Sequence, residues 1–339
     1  MREWHFDPTG TARAVVMRRY GPPEVLGLER VPLRPLAADE IRLRMLAAAV
    51  NHSDLEIRAG NWPILRDEPF PYVPGLELVG DVVECGAEVA EFRVGERAIT
   101  MMQGLGGVRA ERPGGYAEYA NVAAAAAALV PNDLDPFAIA SLGLASITAY
   151  EGLRRLGPIA GGRVLVTGAS GGVGSAAVAI ARAEGAEVVG VVSRPERAAY
   201  VRSLGAAEVL QSDQVLAGAL GEQALDGVLD TVAGGLFDAC VKALAPGRRL
   251  SLVGAVGGST VSFDAYRLLD VMLTGYGSES LDGPSLRGAM TTICDWLRRG
   301  ILVAPAYRRF SLDEAAAAHA SLEAHAVEGR LLLVPPKTR

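Results

Sequence analysis

The chain has 339 residues, half of them hydrophobic and 21% charged, with a formal net charge of −6. That length predicts about two domains with sizeable cores, and the acidic balance argues against nucleic acid or an anionic membrane as the main partner. Cys85, Cys240 and Cys294 are scattered, odd in number and without a CxxC pair; with no signal-peptide pattern and no apolar stretch of membrane-spanning length, a soluble protein of the reducing cytoplasm is expected.

Residues 12–130 carry β-branched runs broken by Gly and Pro, among them Ala14-Val15-Val16-Met17, Glu40 to Met45 and Gly75 to Glu84. They predict antiparallel sheet. The run Ala123 to Ala128 is a short small-residue connector. From Pro136 the pattern becomes alternating helices and short buried strands. Helices are expected near 136–155, 173–184, 195–204 and 234–244, and strands near 163–167, 187–192, 207–210, 227–230, 248–253 and 271–275. Six strands with intervening helices predict an α/β unit built on a doubly wound parallel sheet. The tail returns to mixed structure, with a helix near 312–327 and a strand at Arg330 to Val334. The expected domains are therefore 133–275 for the parallel sheet and 1–132, completed by 276–339, for the rest. No internal repeat is evident.

The strand Arg163 to Thr167 runs into Gly168-Ala169-Ser170-Gly171-Gly172-Val173-Gly174 and then a small-residue helix, and a second strand follows at Glu187 to Val192. Glycines let the backbone turn tightly and approach a pyrophosphate, whose charge the free N–H groups of the helix start can face. This predicts a dinucleotide site, with Gly171, Gly172 and Val173 at the pyrophosphate. Enzymes selecting NAD usually place Asp or Glu at the end of the second strand, on the ribose 2′-OH. Here the strand ends in Ser193-Arg194-Pro195-Glu196-Arg197. Arg194 and Arg197 can pair with a 2′-phosphate and Ser193 can donate to it, which favours NADPH; the plain alternative is a solvated, basic helix start.

With these motifs in order, the chain resembles the medium-chain dehydrogenases/reductases over nearly its full length, and most of all their zinc-free quinone oxidoreductase branch, which includes the zeta-crystallins. The likeness is carried by Tyr20 to Leu26, Ala48 to Asp54, Arg58 to Pro63, Pro74-Gly75-Leu76-Glu77, Gly114 to Tyr119, Thr148-Ala149-Tyr150, the glycine turn and Glu328-Gly329-Arg330. It implies a Rossmann doubly wound six-stranded domain, a GroES-like mostly antiparallel β domain, and an active site in the cleft between the domains at the carboxyl ends of the parallel strands.

The zinc alcohol dehydrogenases of this superfamily are similar around the same turns but carry Cys where Asn51 stands, His where Leu76 stands and a third ligand at or near Leu144. The segment Met101 to Gly115 also lacks the four cysteines of their structural zinc lobe. Zinc takes thiolate, imidazole or carboxylate ligands; neither Leu can serve and Asn is poor. His52, Asp54 and Glu56 would share a face only in an extended segment, whereas the resemblance makes it a turn entering a helix. No metal is expected.

The resemblance implies hydride transfer from NADPH to a quinone or to the β-carbon of an enone, where conjugation makes a metal dispensable. It places Asn51 beside the nicotinamide, where the amide can donate to a growing oxyanion, and Thr148 near the carboxamide. Val253 and Gly254 fall near the nicotinamide ribose, and Arg330 close to the cofactor phosphates. Asp54 is the shared acid of that turn, with helix capping as its ordinary role. Glu56 and Trp62 stand at or near positions where relatives carry Tyr: Glu56 is either a solvated carboxylate or, if buried, a general acid, and Trp62 either packs or stacks on a flat acceptor. Tyr276 is expected to line the cleft and Tyr116 to be structural. His5, His319 and His325 read as surface or helix positions without a mechanism. Relatives dimerise through the edge strand of the nucleotide domain, here Val271 to Gly275, so a homodimer is expected. A zinc-type dehydrogenase with ligands elsewhere, and an NADPH-binding crystallin-like protein without turnover, remain as other readings.

Overall fold

In the computed structural model, which describes residues 10–62, 70–105 and 112–336, two compact units are built from these patterns. His5, Pro63 and much of the segment between Met101 and Gly115 lie outside the described residues. One unit comprises Met1–Leu144, Glu279–Cys294 and Ala306–Arg339; the other comprises Ala145–Ser278 and Asp295–Pro305. The division falls inside a helix, Pro136–Arg154, instead of ahead of it. That helix is broken at Gly143, whose φ of 40° and ψ of −143° are non-helical.

The first unit begins with β1 (Thr11–Val16) and β2 (Gly27–Pro32), paired antiparallel, and continues with β3 (Glu40–Ala49), β4 (Glu77–Cys85), β5 (Arg97–Met101), β6 (Tyr119–Ala123) and β7 (Ala127–Val130). Between β3 and β4 lies α1 (His52–Ala59), and α2 is the broken helix Pro136–Arg154. The second unit holds β8 (Arg163–Val166), β9 (Glu187–Val192), β10 (Glu208–Gln211), β11 (Leu225–Asp230), β12 (Leu244–Leu252) and β13 (Met272–Gly275), with α3 (Gly172–Ala183) after β8. Its order is β10-β9-β8-β11-β12-β13, every neighbouring pair parallel. The strand order reverses between β8 and β11, which opens a crevice at their carboxyl ends. The strands expected from apolar runs are all present; β11 and β12 start earlier than their apolar cores suggest.

The chain then returns through β14 (Tyr307–Ser311) and β15 (Arg330–Val334) to complete a seven-stranded sheet, order β14-β15-β3-β4-β5-β7, with β6 on β3. Only the β14–β15 pair is parallel there. Two elements of this return were not expected. The helix Gly283–Arg298 buries Leu286, Ala289, Met290 and Ile293, a helical spacing present in the sequence. β14 shows no alternation, because Tyr307, Arg308 and Arg309 are all exposed. Among the described residues no helix is long and apolar enough to cross a membrane.

Candidate active site

At the switch point, the glycine turn is shaped by close approach. A Cβ on Gly174 would lie 2.1 Å from the Gly168 carbonyl oxygen, so the start of α3 can sit on the turn only as glycine. Gly171 is the N-cap, exposed and without a side-chain cap, which leaves the first N–H groups of α3 to an outside acceptor. Val173 and Gly172 are half-buried beside it. The turn is anchored by Asp230 at the end of β11: its Oδ1 accepts from the Thr167 hydroxyl at 2.6 Å and from Val232 and Ala233 N–H at 2.9 and 3.0 Å. Sequence reasoning assigned Asp230 no role.

Ser193 and Arg194 are exposed at the end of β9, Arg197 half-buried. No hydrogen bond or ion pair to the Arg194 side chain is found among the described residues, so its charge is available. Val253 donates its N–H to the Asp230 carbonyl, which ties the Val253-Gly254 turn to the same crevice. Thr148 is buried on α2. An uncapped glycine-lined helix start, with basic groups at the end of the next strand, fits a dinucleotide phosphate. Tyr276 is only 9% exposed and the Arg155 guanidinium covers its ring at 4.5 Å, which leaves little ring surface for the acceptor expected there.

In the first unit, β3 runs into Val50, whose N–H donates to Leu331 of β15, and Asn51 then caps α1 in extended conformation. Asp54, at the third helical position, turns back so that Oδ2 accepts the Asn51 N–H at 2.8 Å, while Oδ1 accepts from Leu76 N–H at 3.2 Å. The capping role of Asp54 is thus the one its geometry serves. The segment is a helix, so His52 and Glu56 pair one turn apart at 3.2 Å while Asp54 is buried at 1% exposure. Glu56 also accepts from Asn61, and its side chain is 24% exposed. Trp62 is 44% exposed. The burial invoked for Glu56 belongs instead to Asp54 and Glu77.

The Asn51 amide is held on both sides. Its Nδ2 donates to Glu77 Oε1 at 2.8 Å, and its Oδ1 accepts from Arg330 Nη2 at 2.8 Å. Arg330 Nη2 also lies 3.3 Å from Glu77 Oε1, and the second Glu77 oxygen accepts from Leu144 N–H at 2.8 Å. A Cβ on Gly143 would lie 1.8 Å from that carboxylate, so the residue at the break of α2 must be glycine. Arg330 was expected at the cofactor phosphates; its guanidinium is buried at 6% and engaged by Asn51 and Glu77, because the tail strand β15 lies beside the end of β3. Glu77 was quoted only as part of a motif. Its neighbours Leu76 and Leu144 are buried. Burial pushes the Glu77 carboxyl above its ordinary range, against Arg330, the Asn51 amide and the Leu144 N–H.

Burial raises Asp54 to about 7, helped by the Glu77 charge and opposed by the Asn51 N–H and Tyr116 hydroxyl. Tyr116 is fully buried, and burial and the Asp54 charge push its phenol well above the ordinary value. Beyond it, His319 Nε2 lies 3.3 Å from the Tyr116 hydroxyl. His319 is fully buried on its helix and not at the surface; burial and the Arg58 charge hold it down at about 3.

This is a two-unit α/β scaffold: a doubly wound parallel sheet with a glycine-lined crevice, and a mostly antiparallel β unit carrying a buried polar cluster. Residues 37–132 match the family model of the alcohol dehydrogenase GroES-like domain, and residues 172–294 that of the zinc-binding dehydrogenases. Quinone oxidoreductase of Homo sapiens is 32% identical over 252 residues, 72% of this chain and 74% of its own length. The chloroplastic NADPH-dependent alkenal/one oxidoreductase of Arabidopsis thaliana is 32% identical over 247 residues, 72% of this chain and 63% of its own. The structure of mycobacterial Rv1454c complexed with NADPH superposes with a TM-score of 0.81 at 29% identity, covering 96% of this chain and 100% of the other. The chain belongs to the medium-chain dehydrogenase/reductase superfamily and is one of its oxidoreductases.

Proposed function

We propose that this protein is a zinc-independent, NADPH-dependent reductase of quinones or α,β-unsaturated carbonyls. The observation that carries the reading is the Asn51 amide held between Glu77 and the Arg330 guanidinium; by the family resemblance, Leu76 stands at, and Leu144 at or near, the other two positions that bear zinc ligands in metal-dependent relatives. These residues do not fit zinc. They offer one carboxylate, already spent on a guanidinium and an N–H, and a fixed positive charge that repels a dication. The relatives named for quinone and alkenal reduction support the acceptor class, and the neighbour solved with NADPH supports the cofactor.

When bound, the dinucleotide supplies the hydride; the chain supplies position and electrostatics. The uncapped start of α3 and Gly171, Gly172 and Val173 receive the pyrophosphate, Thr148, Val253 and Gly254 border the nicotinamide end, and Ser193, Arg194 and Arg197 receive the 2′-phosphate. Asn51 donates a hydrogen bond to the acceptor oxygen as negative charge grows on it, and Trp62 offers an exposed flat face for the acceptor. The protein acts as a homodimer joined at β13, the edge of the parallel sheet, where Tyr266, Leu268, Leu269 and Met272 are all exposed.

The test is oxidation of NADPH and of NADH by purified protein against a quinone, an enone, an enoyl thioester and a plain aldehyde, with and without chelator. Chelator-resistant oxidation of NADPH by quinone or enone is expected. Turnover of the aldehyde alone, abolished by chelator, would make it a zinc-type enzyme, and cofactor binding without turnover on any acceptor would make it a binding protein. Asn51→Ala is expected to lower kcat on the order of a hundredfold, the loss typical of one oriented donor, with NADPH affinity little changed.

A further inference from the structure

We infer that Arg330 and Glu77 are positioning residues that commit the Asn51 amide to act as a donor towards the acceptor oxygen. The inference rests on the proposed role of Asn51. A primary amide is ambivalent: turned over, it would present its carbonyl to the substrate and repel the growing negative charge. Guanidinium has only donors and carboxylate only acceptors. With Arg330 Nη2 on one side at 2.8 Å and Glu77 Oε1 on the other at 2.8 Å, a single orientation satisfies both, with Oδ1 towards arginine and Nδ2 towards glutamate. A flipped amide would face donor against donor and acceptor against acceptor in a site where Asn51, Glu77 and Arg330 are at most 7% exposed.

The clamp engages one Nδ2 hydrogen. The other N–H faces the Ala49 carbonyl, 3.5 Å away and at the outer limit of a hydrogen bond, and the Asn51 side chain also bonds the Asp54 carboxyl. The guanidinium on Oδ1 draws electron density out of the amide and makes that N–H a stronger donor, since hydrogen bonds in series polarise one another. Each partner is itself fixed. The Arg330 N–H donates to Ala306 at 2.7 Å, and the far Glu77 oxygen is held by Leu144 N–H at the break of α2. The helix cap, β4, the α2 break and the first residue of β15 therefore converge on one amide. Arginine and glutamate cancel in charge, so the orientation is imposed without a net buried charge.

The experiment compares kcat, acceptor KM and NADPH binding for Asn51→Ala, Arg330→Met, Arg330→Lys and the double variant Asn51→Ala/Arg330→Met, with active sites counted by NADPH fluorescence titration so that unfolded protein does not enter kcat. Arg330→Met is expected to lower kcat at least tenfold with NADPH affinity within about twofold, the double variant to be no slower than Asn51→Ala alone, and Arg330→Lys to recover part of the loss. Should Arg330→Met leave Glu77 uncompensated and fail to fold, Glu77→Gln/Arg330→Met removes both charges and is expected to show the same loss in kcat. Unchanged kcat in the folded Arg330 variants, or losses that multiply in the double variant, would overturn the positioning role while a slow Asn51→Ala enzyme left the donor role standing. An Asn51→Ala enzyme at full speed would instead remove the donor reading itself.

Discussion

Asp54, Tyr116 and His319 form one buried line behind Asn51, and its two ends respond to pH in opposite senses. His319 holds no proton in the folded protein until about 3, whereas in the unfolded chain it takes one near 6.5. The unfolded state therefore binds the extra proton between those values, and this residue's share of stability is lost as pH falls through that window. Asp54 is raised to about 7, so between about 4 and 7 the folded state binds the extra proton, and its share of stability is lost as pH rises. From about pH 4 to 6.5 the two offset one another. Tm measured against pH is expected to tilt in opposite directions in His319→Gln, which retains the Asp54 effect and gains relative stability on acidification, and in Asp54→Asn, which loses it. Parallel profiles in both variants and the parent would mean that these groups titrate together or not at all in this range. Neither effect was legible in the sequence. His319 sits in an alanine-rich helix with no visible partner, and Tyr116 lies 203 residues away on the chain.

Elements as short as a strand end carry the proposed cofactor preference. β9 delivers Ser193 and Arg194 at its carboxyl end simply because a parallel strand of that length stops there, and among the described residues the side chain of Arg194 has no partner to give up on binding phosphate. A charge-assisted hydrogen bond contributes about 1.5–3 kcal/mol, so Arg194→Ala is expected to raise KM for NADPH by about tenfold or more while KM for NADH stays within about twofold. Equal changes for both cofactors would place the 2′-phosphate elsewhere. This element was legible because strand, glycine turn and helix are consecutive in sequence. The break of α2 was not: the Leu144 N–H that it leaves open meets the Glu77 carboxylate on β4, 67 residues earlier in the chain.

For the whole molecule, the proposed dimer has a physical motive. β13 closes one edge of the parallel sheet, and Leu269 and Tyr266 beside it are 81% and 79% exposed. Native proteins seldom leave an open strand edge next to apolar side chains without covering or charging it. Light scattering is expected to give twice the chain mass, and Leu269→Arg is expected to shift the protein towards monomer with retained NADPH binding. A monomeric parent protein at assay concentrations would rule the dimer out.

The sequence by itself determined the two fold types, the strands of the parallel sheet and the glycine turn between β8 and α3, because each depends on residues close together: period, glycine spacing and the residues that end a strand. That Asn51, Leu76 and a position at or near Leu144 stand where relatives bear zinc ligands came from the family resemblance, and that Leu cannot bind zinc follows from side-chain chemistry alone. Tertiary structure alone decided what surrounds Asn51. β15 brings Arg330 to it from 279 positions away and β4 brings Glu77 from 26. A hydrogen-bonded clamp of that kind depends on strand pairing across the whole chain, which no local pattern records.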